Sequence, residues 1–214
     1  HFGANDNFKF AVLNLKKKNK KSFNLQHGGL MGNRVFNPED YINQKMSDLN
    51  LLWHDKKLNI GSQYFLNSKY KFNKLENKIL FFPCHILFNQ ELDALENNNH
   101  VYLNQYFDLV KSLTIKKKFL LSVKFFNHKN DDFFKKIWKN YFGKKVKILD
   151  SNNSYKGSIF KKYDLVIIDN FSTAFYELLY NKKPFIVLNS SPNVTFKKNF
   201  WKAIKDLKKI NLWF

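Results

Sequence analysis

The sequence contains very little cysteine and arginine. Cys84 is the only cysteine, so no disulfide can form within the chain, and no Cys/His spacing of the zinc-site type is present. These absences predict a reducing, cytoplasmic setting without a structural metal. Arg34 is the only arginine, and the guanidinium groups that usually read guanine edges are therefore nearly absent. This argues against sequence-specific recognition of nucleic acid.

Long apolar runs are also missing. No stretch approaches the roughly 20 apolar residues that span a membrane as a helix, and the first residues lack the charged-then-apolar pattern of a signal peptide. The chain begins with His1 rather than Met. We therefore expect the N-terminal domain to be incomplete.

Lysine, in contrast, is abundant. The chain has 37 Lys+Arg against 17 Asp+Glu, a net charge of +20, which indicates anionic partners such as phosphorylated substrates, a membrane surface or nucleic acid. The lysine runs at 16–21, 116–118 and 161–162 are most simply solvated faces. The alternative is peripheral contact with an anionic membrane at its inner face, where each lysine adds about 1 kcal/mol of attraction.

The apolar pattern alternates between strand and helix periods, and the 44% apolar content is enough for a packed core. This alternation predicts an α/β protein with Rossmann-like parallel sheets flanked by helices. The polar stretch at about 67–77 is the best linker, and it divides the chain into domains 1–70 and 71–214. Strands are predicted at 8–15, 22–26, 48–53, 78–83, 119–125, 146–149, 165–168 and 185–188, and helices at 38–45, 99–113, 131–142, 173–180 and 199–208.

The first candidate site is the turn after the strand at 22–26, where His27 is followed by Gly28, Gly29 and Gly32. Three glycines within a few residues favour a tight turn that a substrate can approach closely. A histidine there could take a proton from an attacking hydroxyl near neutral pH. On residue type alone, a structural turn histidine is the more common interpretation.

The second candidate site lies between the apolar strand at 165–168 and the helix at 173–180. Ser172 and Thr173 stand at the start of that helix, and its backbone N–H groups favour an anion such as a diphosphate. The alternative is that Ser172 and Thr173 are an ordinary N-cap pair and that Glu177 is an ordinary helix residue.

Together, Gln26-His27-Gly28-Gly29 and the segment Asp169-Asn170-Phe171-Ser172-Thr173 with Glu177, followed by Lys183-Pro184-Phe185-Ile186, resemble a known family. They resemble the GT-B-type transferases of bacterial surface-polysaccharide biosynthesis and, more distantly, the CDP-glycerol glycerophosphotransferases. The resemblance covers about residues 23–190. It implies a GT-B-like fold with an acceptor-side domain before a donor-binding domain.

The resemblance also implies an activity and its residues. The activity is transfer of a glycosyl or polyol-phosphate group from a nucleotide-activated donor to a polysaccharide or lipid-linked acceptor, with no other cofactor. His27 is implied as the catalytic base or as an acceptor-orienting group. The implied substrate-binding and donor-binding residues are Gly28, Gly29, Gly32, Lys124, Asp169, Ser172, Thr173 and Glu177.

Within this set, the resemblance implies Ser172 and Thr173 as diphosphate ligands, Glu177 as a ribose ligand and Asp169 as a residue that positions the turn. Lys124 is implied as a counter-charge for phosphate. The absence of an Asp-x-Asp pattern predicts that no metal is required.

One part of the family pattern is missing. The glycerophosphotransferases carry a His-Pro pair after the central strand of the second domain, whereas Phe125 and Phe126 follow Lys124 here. His85, next to Cys84, and His128 are the candidate replacements. Two other functions remain open: a non-catalytic module that binds nucleotides or anions, and a non-specific nucleic-acid binder, which would bind with a steep salt dependence.

Overall fold

A computed structural model describes residues 6–25, 35, 38–51, 76–83, 99–115, 119–125, 131–149, 157–188 and 195–209 of the 214. The strands are β1 Phe23–Leu25, β2 Leu49–Leu51, β3 Lys78–Phe82, β4 Leu120–Val123, β5 Lys147–Ile148, β6 Leu165–Ile168 and β7 Phe185–Val187. The α-helices are α1 Asp6–Lys17, α2 Pro38–Met46, α3 Asn99–Ile115, α4 Asp131–Phe142, α5 Thr173–Tyr180 and α6 Lys198–Lys209. Two 3-10 helices span Gly143–Lys145 and Gly157–Lys162.

The chain divides into two compact units. The first unit comprises residues 1–67 and 192–209, and the second comprises residues 68–191 and 210–214. Helix α6 thus belongs with the first unit although it follows the second along the chain. We call the second the sheet unit, because it contains the five-stranded sheet.

The sheet unit has the strand order β5-β4-β3-β6-β7, and every neighbouring pair is parallel. Strands β3, β4 and β5 follow one another outwards to one edge of the sheet. Strand β6 then lies on the other side of β3, and β7 forms the opposite edge. Such a reversal is the topological switch point of a doubly wound sheet, and a crevice opens there at the carboxyl ends of the strands. In this protein the switch point lies between β3 and β6.

Both faces of the central strands are buried, as expected for a parallel sheet with helices on each side. On one face, Phe81 of β3 packs with Tyr106 of α3 and Trp138 of α4. On the other face, Phe82 meets Phe160 of the second 3-10 helix, which also contacts α5. The β-branched and aromatic composition of these strands suits burial on two sides.

The first unit contains a two-stranded parallel sheet in which Asn24 of β1 faces Asn50 of β2. Its helices α1 and α2 are in contact. A backbone hydrogen bond of 2.8 Å from the N–H of Val35 to the carbonyl of Thr195 joins the segment before α2 to the segment before α6.

The structure confirms the predicted α/β class, with Rossmann-like parallel sheets flanked by helices. The predicted strand at 8–15 is wrong, because these residues form α1. The helix has lysines in its last turn, where they complement the helix dipole. The helix ends at Lys17, and the positive φ of 52° at Asn19 permits the closing hydrogen bonds from Asn19 N to Lys16 O and from Lys20 N to Leu15 O. The apolar run at 10–13, read without this helix-ending signal, had indicated a strand.

Candidate functional site

The candidate donor site lies at the carboxyl edge of the sheet unit. Lys124 directly follows β4, and Asp169 directly follows β6, with β3 between these two strands. Because parallel strands end at the same edge, both residues lie beside the switch point. The backbone N–H of Lys124 donates to the carbonyl of Phe81 (3.0 Å), so the ladder continues to this edge.

The turn after β6 is shaped by its own side chains. The Oδ1 atom of Asn170 accepts a hydrogen bond from the backbone N–H of Ser172 (3.1 Å), as an Asx turn does. Ser172 is extended (φ −77°, ψ −169°), the conformation of an N-cap residue, and Thr173 is the first residue of α5. The carbonyl of Ser172 accepts from the N–H of Phe175 (3.1 Å) and thereby begins the helix.

Ser172 occupies the N-cap position without capping the helix. Its side chain makes no capping hydrogen bond, and its Oγ atom is buried with no hydrogen-bond partner among the described residues. A buried hydroxyl without a partner is energetically unfavourable and calls for an explanation. The first N–H groups of a helix have no intrahelical partner. The Oγ atom and these N–H groups together can hold an anion at the start of α5.

Asp169 is only 1% exposed, and its Oδ2 atom accepts a hydrogen bond from the hydroxyl of Tyr106 (2.9 Å). Tyr106 is in α3, 63 residues earlier in the chain. Tyr106 could not be recognised from the sequence, because an aromatic residue within a predicted amphipathic helix has no feature that separates it from an ordinary core residue.

Lys124 is also buried. Alternation along the strand places it on the same face of the sheet as Ser122, opposite to Val123. That face is the one on which Phe82 meets the second 3-10 helix, and this 3-10 helix contacts α5. Lys124 therefore brings a positive charge to the side of the sheet on which α5 lies.

Glu177 is buried within α5, with Ala174, Phe175 and Leu178 as the other buried residues of that helix. Its backbone carbonyl accepts hydrogen bonds from the backbone N–H (3.1 Å) and the Nδ2 (2.8 Å) of Asn181. These two bonds end the helix. The role of Glu177 as a ribose ligand stays a prediction.

The amino edge of the same sheet is different. Asp164, which precedes β6, accepts backbone hydrogen bonds from Glu76 and Lys78, each 2.9 Å long. Lys183, which precedes β7, is buried, and this burial lowers the pKa of its amino group, although the charge of Asp164 partly opposes the shift. Asp164 uses its carboxylate to join β3 to β6, which is a structural role.

The residues of the His27 turn, including Gly28, Gly29 and Gly32, lie outside the described residues, as do Cys84, His85 and His128. Their roles stay predictions. Within the described ranges, no three or more His, Cys, Asp or Glu side chains form a group that could hold a metal ion. No helix in those ranges combines the length and the apolar character needed to cross a membrane.

Residues 2–214, nearly the whole chain, match the model of a family described as LIC12162 family transferase. No curated protein matches the chain. The chain therefore belongs to the LIC12162 family and is a transferase.

Proposed function

Starting from this family membership, we propose that the transferase moves a glycosyl or polyol-phosphate group from a nucleotide-activated donor to a cell-surface polysaccharide or lipid-linked acceptor. The donor binds to the sheet unit, with its phosphates at the start of α5. The transferred group and the acceptor follow from the resemblance to the transferases of surface-polysaccharide biosynthesis.

One observation carries the proposal: the Oγ of Ser172, which has no hydrogen-bond partner among the described residues, stands at a helix N-terminus beside the switch point of a doubly wound parallel sheet. Doubly wound sheets bind nucleotides at that place, and helix N-termini stabilise phosphate groups there. Ser172 and Thr173 supply hydroxyl groups, and the first turn of α5 supplies backbone N–H groups.

Charge supports the same assignment. A diphosphate leaving group gains negative charge as its bond to the transferred group breaks. A positive charge fixed nearby in a water-poor site stabilises this charge more than it would in bulk water. Lys124 is the buried cation at the carboxyl edge of β4 that fits this role.

In the proposed reaction, an acceptor hydroxyl attacks the donor. In glycosyl transfer, its oxygen bonds to the anomeric carbon, the carbon–oxygen bond to the diphosphate breaks, and the nucleoside diphosphate leaves with the electron pair. In polyol-phosphate transfer, its oxygen bonds to the distal phosphorus, and the nucleoside monophosphate leaves. In both reactions, His27 takes the hydroxyl proton.

We also propose that the protein is cytoplasmic and makes peripheral contact with an anionic membrane, where lipid-linked acceptors are located. The lysines at the end of α1 and just after it support this contact, since Lys17, Lys18, Lys20 and Lys21 are all exposed. Each lysine near such a surface contributes roughly 1 kcal/mol of attraction at low screening. Specific nucleic-acid binding forms no part of the proposal.

The proposal is tested by measuring nucleotide release from a panel of nucleotide sugars and CDP-glycerol, with and without acceptor. Ser172→Ala should lower kcat/KM for the donor about 10- to 100-fold, because a hydrogen bond to a charged group contributes about 1.5–3 kcal/mol. The control is Ser112→Ala on the exposed side of α3, where the hydroxyl donates to the carbonyl of Asp108 in the preceding turn. Unchanged turnover in Ser172→Ala would remove this turn from the donor site.

His27 is tested separately. His27→Ala should reduce turnover by about 10²–10⁴-fold, the usual contribution of a general base, while donor affinity changes little. Near-normal turnover in a folded variant would exclude His27 as the base. If the wild-type protein binds a nucleotide and turns over none of the donors, the non-catalytic module becomes the better interpretation.

A further inference from the structure

We propose that Tyr106 is a positioning residue for the donor turn, the segment Asp169–Ser172 between β6 and α5. This inference rests on the proposed function, which places the donor phosphates at that turn. Tyr106 itself does not contact the donor. It acts through Asp169, whose carboxylate it holds.

The contact between Tyr106 and Asp169 is fully internal. Both residues are 1% exposed, and 2.9 Å separates the hydroxyl oxygen of Tyr106 from Oδ2 of Asp169. A hydrogen bond to a carboxylate in a buried setting is stronger than one between neutral groups. The bond therefore fixes the side chain of Asp169 relative to α3.

The ring of Tyr106 is fixed as well. It packs edge-on against Phe81 of the central strand, with ring centroids 5.2 Å apart and an interplanar angle of 72°. Val110, one turn later in α3, is buried in the same apolar cluster. Because helix and sheet both hold the ring, its hydroxyl reaches the carboxyl edge of β6 at a defined position.

The donor turn is thus held at both ends. Asp169, its first residue, is bound to α3 through Tyr106, and the N–H of Ser172, its last residue, is bound to Oδ1 of Asn170. Only the second bond is local to the turn. A binding site whose hydrogen-bonding groups are already in place loses less conformational entropy when the nucleotide binds. Removing the bond to α3 should therefore weaken binding without removing any donor-contacting group.

The test compares Tyr106→Phe with Tyr163→Phe in the full chain. Tyr163 is also buried in the sheet unit, but it precedes β6 at the amino edge, whereas Asp169 follows β6. Both variants lose one hydroxyl and keep the aromatic ring. An effect on overall stability should appear in both variants, whereas an effect on the donor turn should appear only in Tyr106→Phe.

Two quantities are measured for each variant. The first is amide hydrogen exchange across residues 169–176 without ligand, which should become faster in Tyr106→Phe and remain unchanged in Tyr163→Phe. The second is the dissociation constant for UDP, GDP, CDP and ADP, each by calorimetry. For the nucleotide that the wild-type protein binds most tightly, Tyr106→Phe should bind at least about 5-fold more weakly, the size expected for one lost hydrogen bond.

Unchanged amide exchange across the turn in Tyr106→Phe would overturn the inference, whatever the nucleotide dissociation constants are. Faster exchange with unchanged affinity would also overturn it, because the link to α3 would then have no effect on binding. If the wild-type protein binds none of the four nucleotides, the proposed donor site fails, and the exchange result alone decides whether Tyr106 holds the turn. Should Tyr106→Phe fold poorly, Asp169→Ala removes the acceptor of the same hydrogen bond and takes its place.

Discussion

The two parallel sheets of the molecule bury their apolar side chains to different extents. In the sheet unit, Phe81 of β3 and Val123 of β4 are completely buried. In the first unit, Phe23 and Leu25 of β1 are 58% and 59% exposed, whereas Asn24 between them is buried. The difference shows where the rigid core lies: the sheet unit is held by apolar packing on both faces of its sheet.

The two-stranded sheet of the first unit and the residues beside it are joined by several polar contacts. Asn24 donates from Nδ2 to Oδ1 of Asn50 across the two strands (3.0 Å), and Ser47 donates to the same oxygen (3.1 Å). Asp48 accepts from both the backbone N–H and the hydroxyl of Ser22. Each such bond contributes only about 1 kcal/mol net. A precise phosphate site is therefore better supported by the sheet unit.

The largest expected effect contrasts one buried phenylalanine with one exposed phenylalanine. Phe81→Ala removes a ring that contacts both Tyr106 and Trp138 and should destabilise the sheet unit by about 3–5 kcal/mol. Phe23→Ala should change stability by less than about 0.5 kcal/mol, because its ring is already mostly in solvent. Urea unfolding followed by tryptophan fluorescence measures both changes, and equal losses would contradict the contrast.

A smaller effect is expected from the aspartates that fasten the strands. Asp164→Ala leaves the backbone N–H groups of Glu76 and Lys78 without their acceptor and should cost about 1–3 kcal/mol. Asp48→Ala, the matched change in the first unit, should cost less, since Asp48 is exposed and water can replace it. The free energies of unfolding of both variants, measured in the same buffer, test this order. A larger loss in Asp48→Ala would reverse it.

The smallest expected effect is a pH dependence of the stability that Asp48 contributes in the first unit. Two hydrogen bonds from Ser22 lower the pKa of Asp48 below its ordinary value of 3.8. The bond from the backbone N–H has the larger effect, and the bond from the hydroxyl has the smaller one. The stabilisation is therefore fully present above pH 3.8 and is lost as the pH falls through the lower, folded-state pKa. The stability difference between the wild-type protein and Asp48→Asn should shrink as the pH falls below the ordinary pKa of 3.8. A difference that does not change with pH would show that the carboxylate does not carry this stabilisation.

The comparison also explains how far the sequence predicts the structure. The buried strands of the sheet unit have continuous apolar runs, such as Leu165–Ile168, and their flanking helices have clear apolar periods, so the fold class could be predicted. In the first unit, the apolar residues of α1 are largely exposed, and their pattern did not identify a helix. Val12 of α1 is buried, whereas Phe10, Leu13 and Leu15 are exposed, so the apolar residues of this helix do not follow the period of a buried helical face.

The candidate site was only partly predictable for a different reason. Ser172, Thr173 and Asp169 are neighbours in the sequence, and their spacing after a strand indicates an anion-binding turn. Tyr106 is distant in the sequence, and only the packing of α3 on the sheet brings its hydroxyl to Asp169. Lys124 was implied only by the resemblance to known transferases, and its burial on the face of the sheet where α5 lies depends on the register of β4 with β3.

The most direct test of the account is a hydrogen-exchange footprint of a nucleoside diphosphate on the wild-type protein. UDP, GDP, CDP and ADP are each added at saturating concentration, and exchange is compared between residues 169–177 at the carboxyl edge and residues 160–165 at the amino edge. We expect at least one nucleotide to protect residues 169–177 and to leave exchange at residues 160–165 unchanged. Protection at the amino edge, or no protection of 169–177 by a nucleotide that the protein binds, would contradict it.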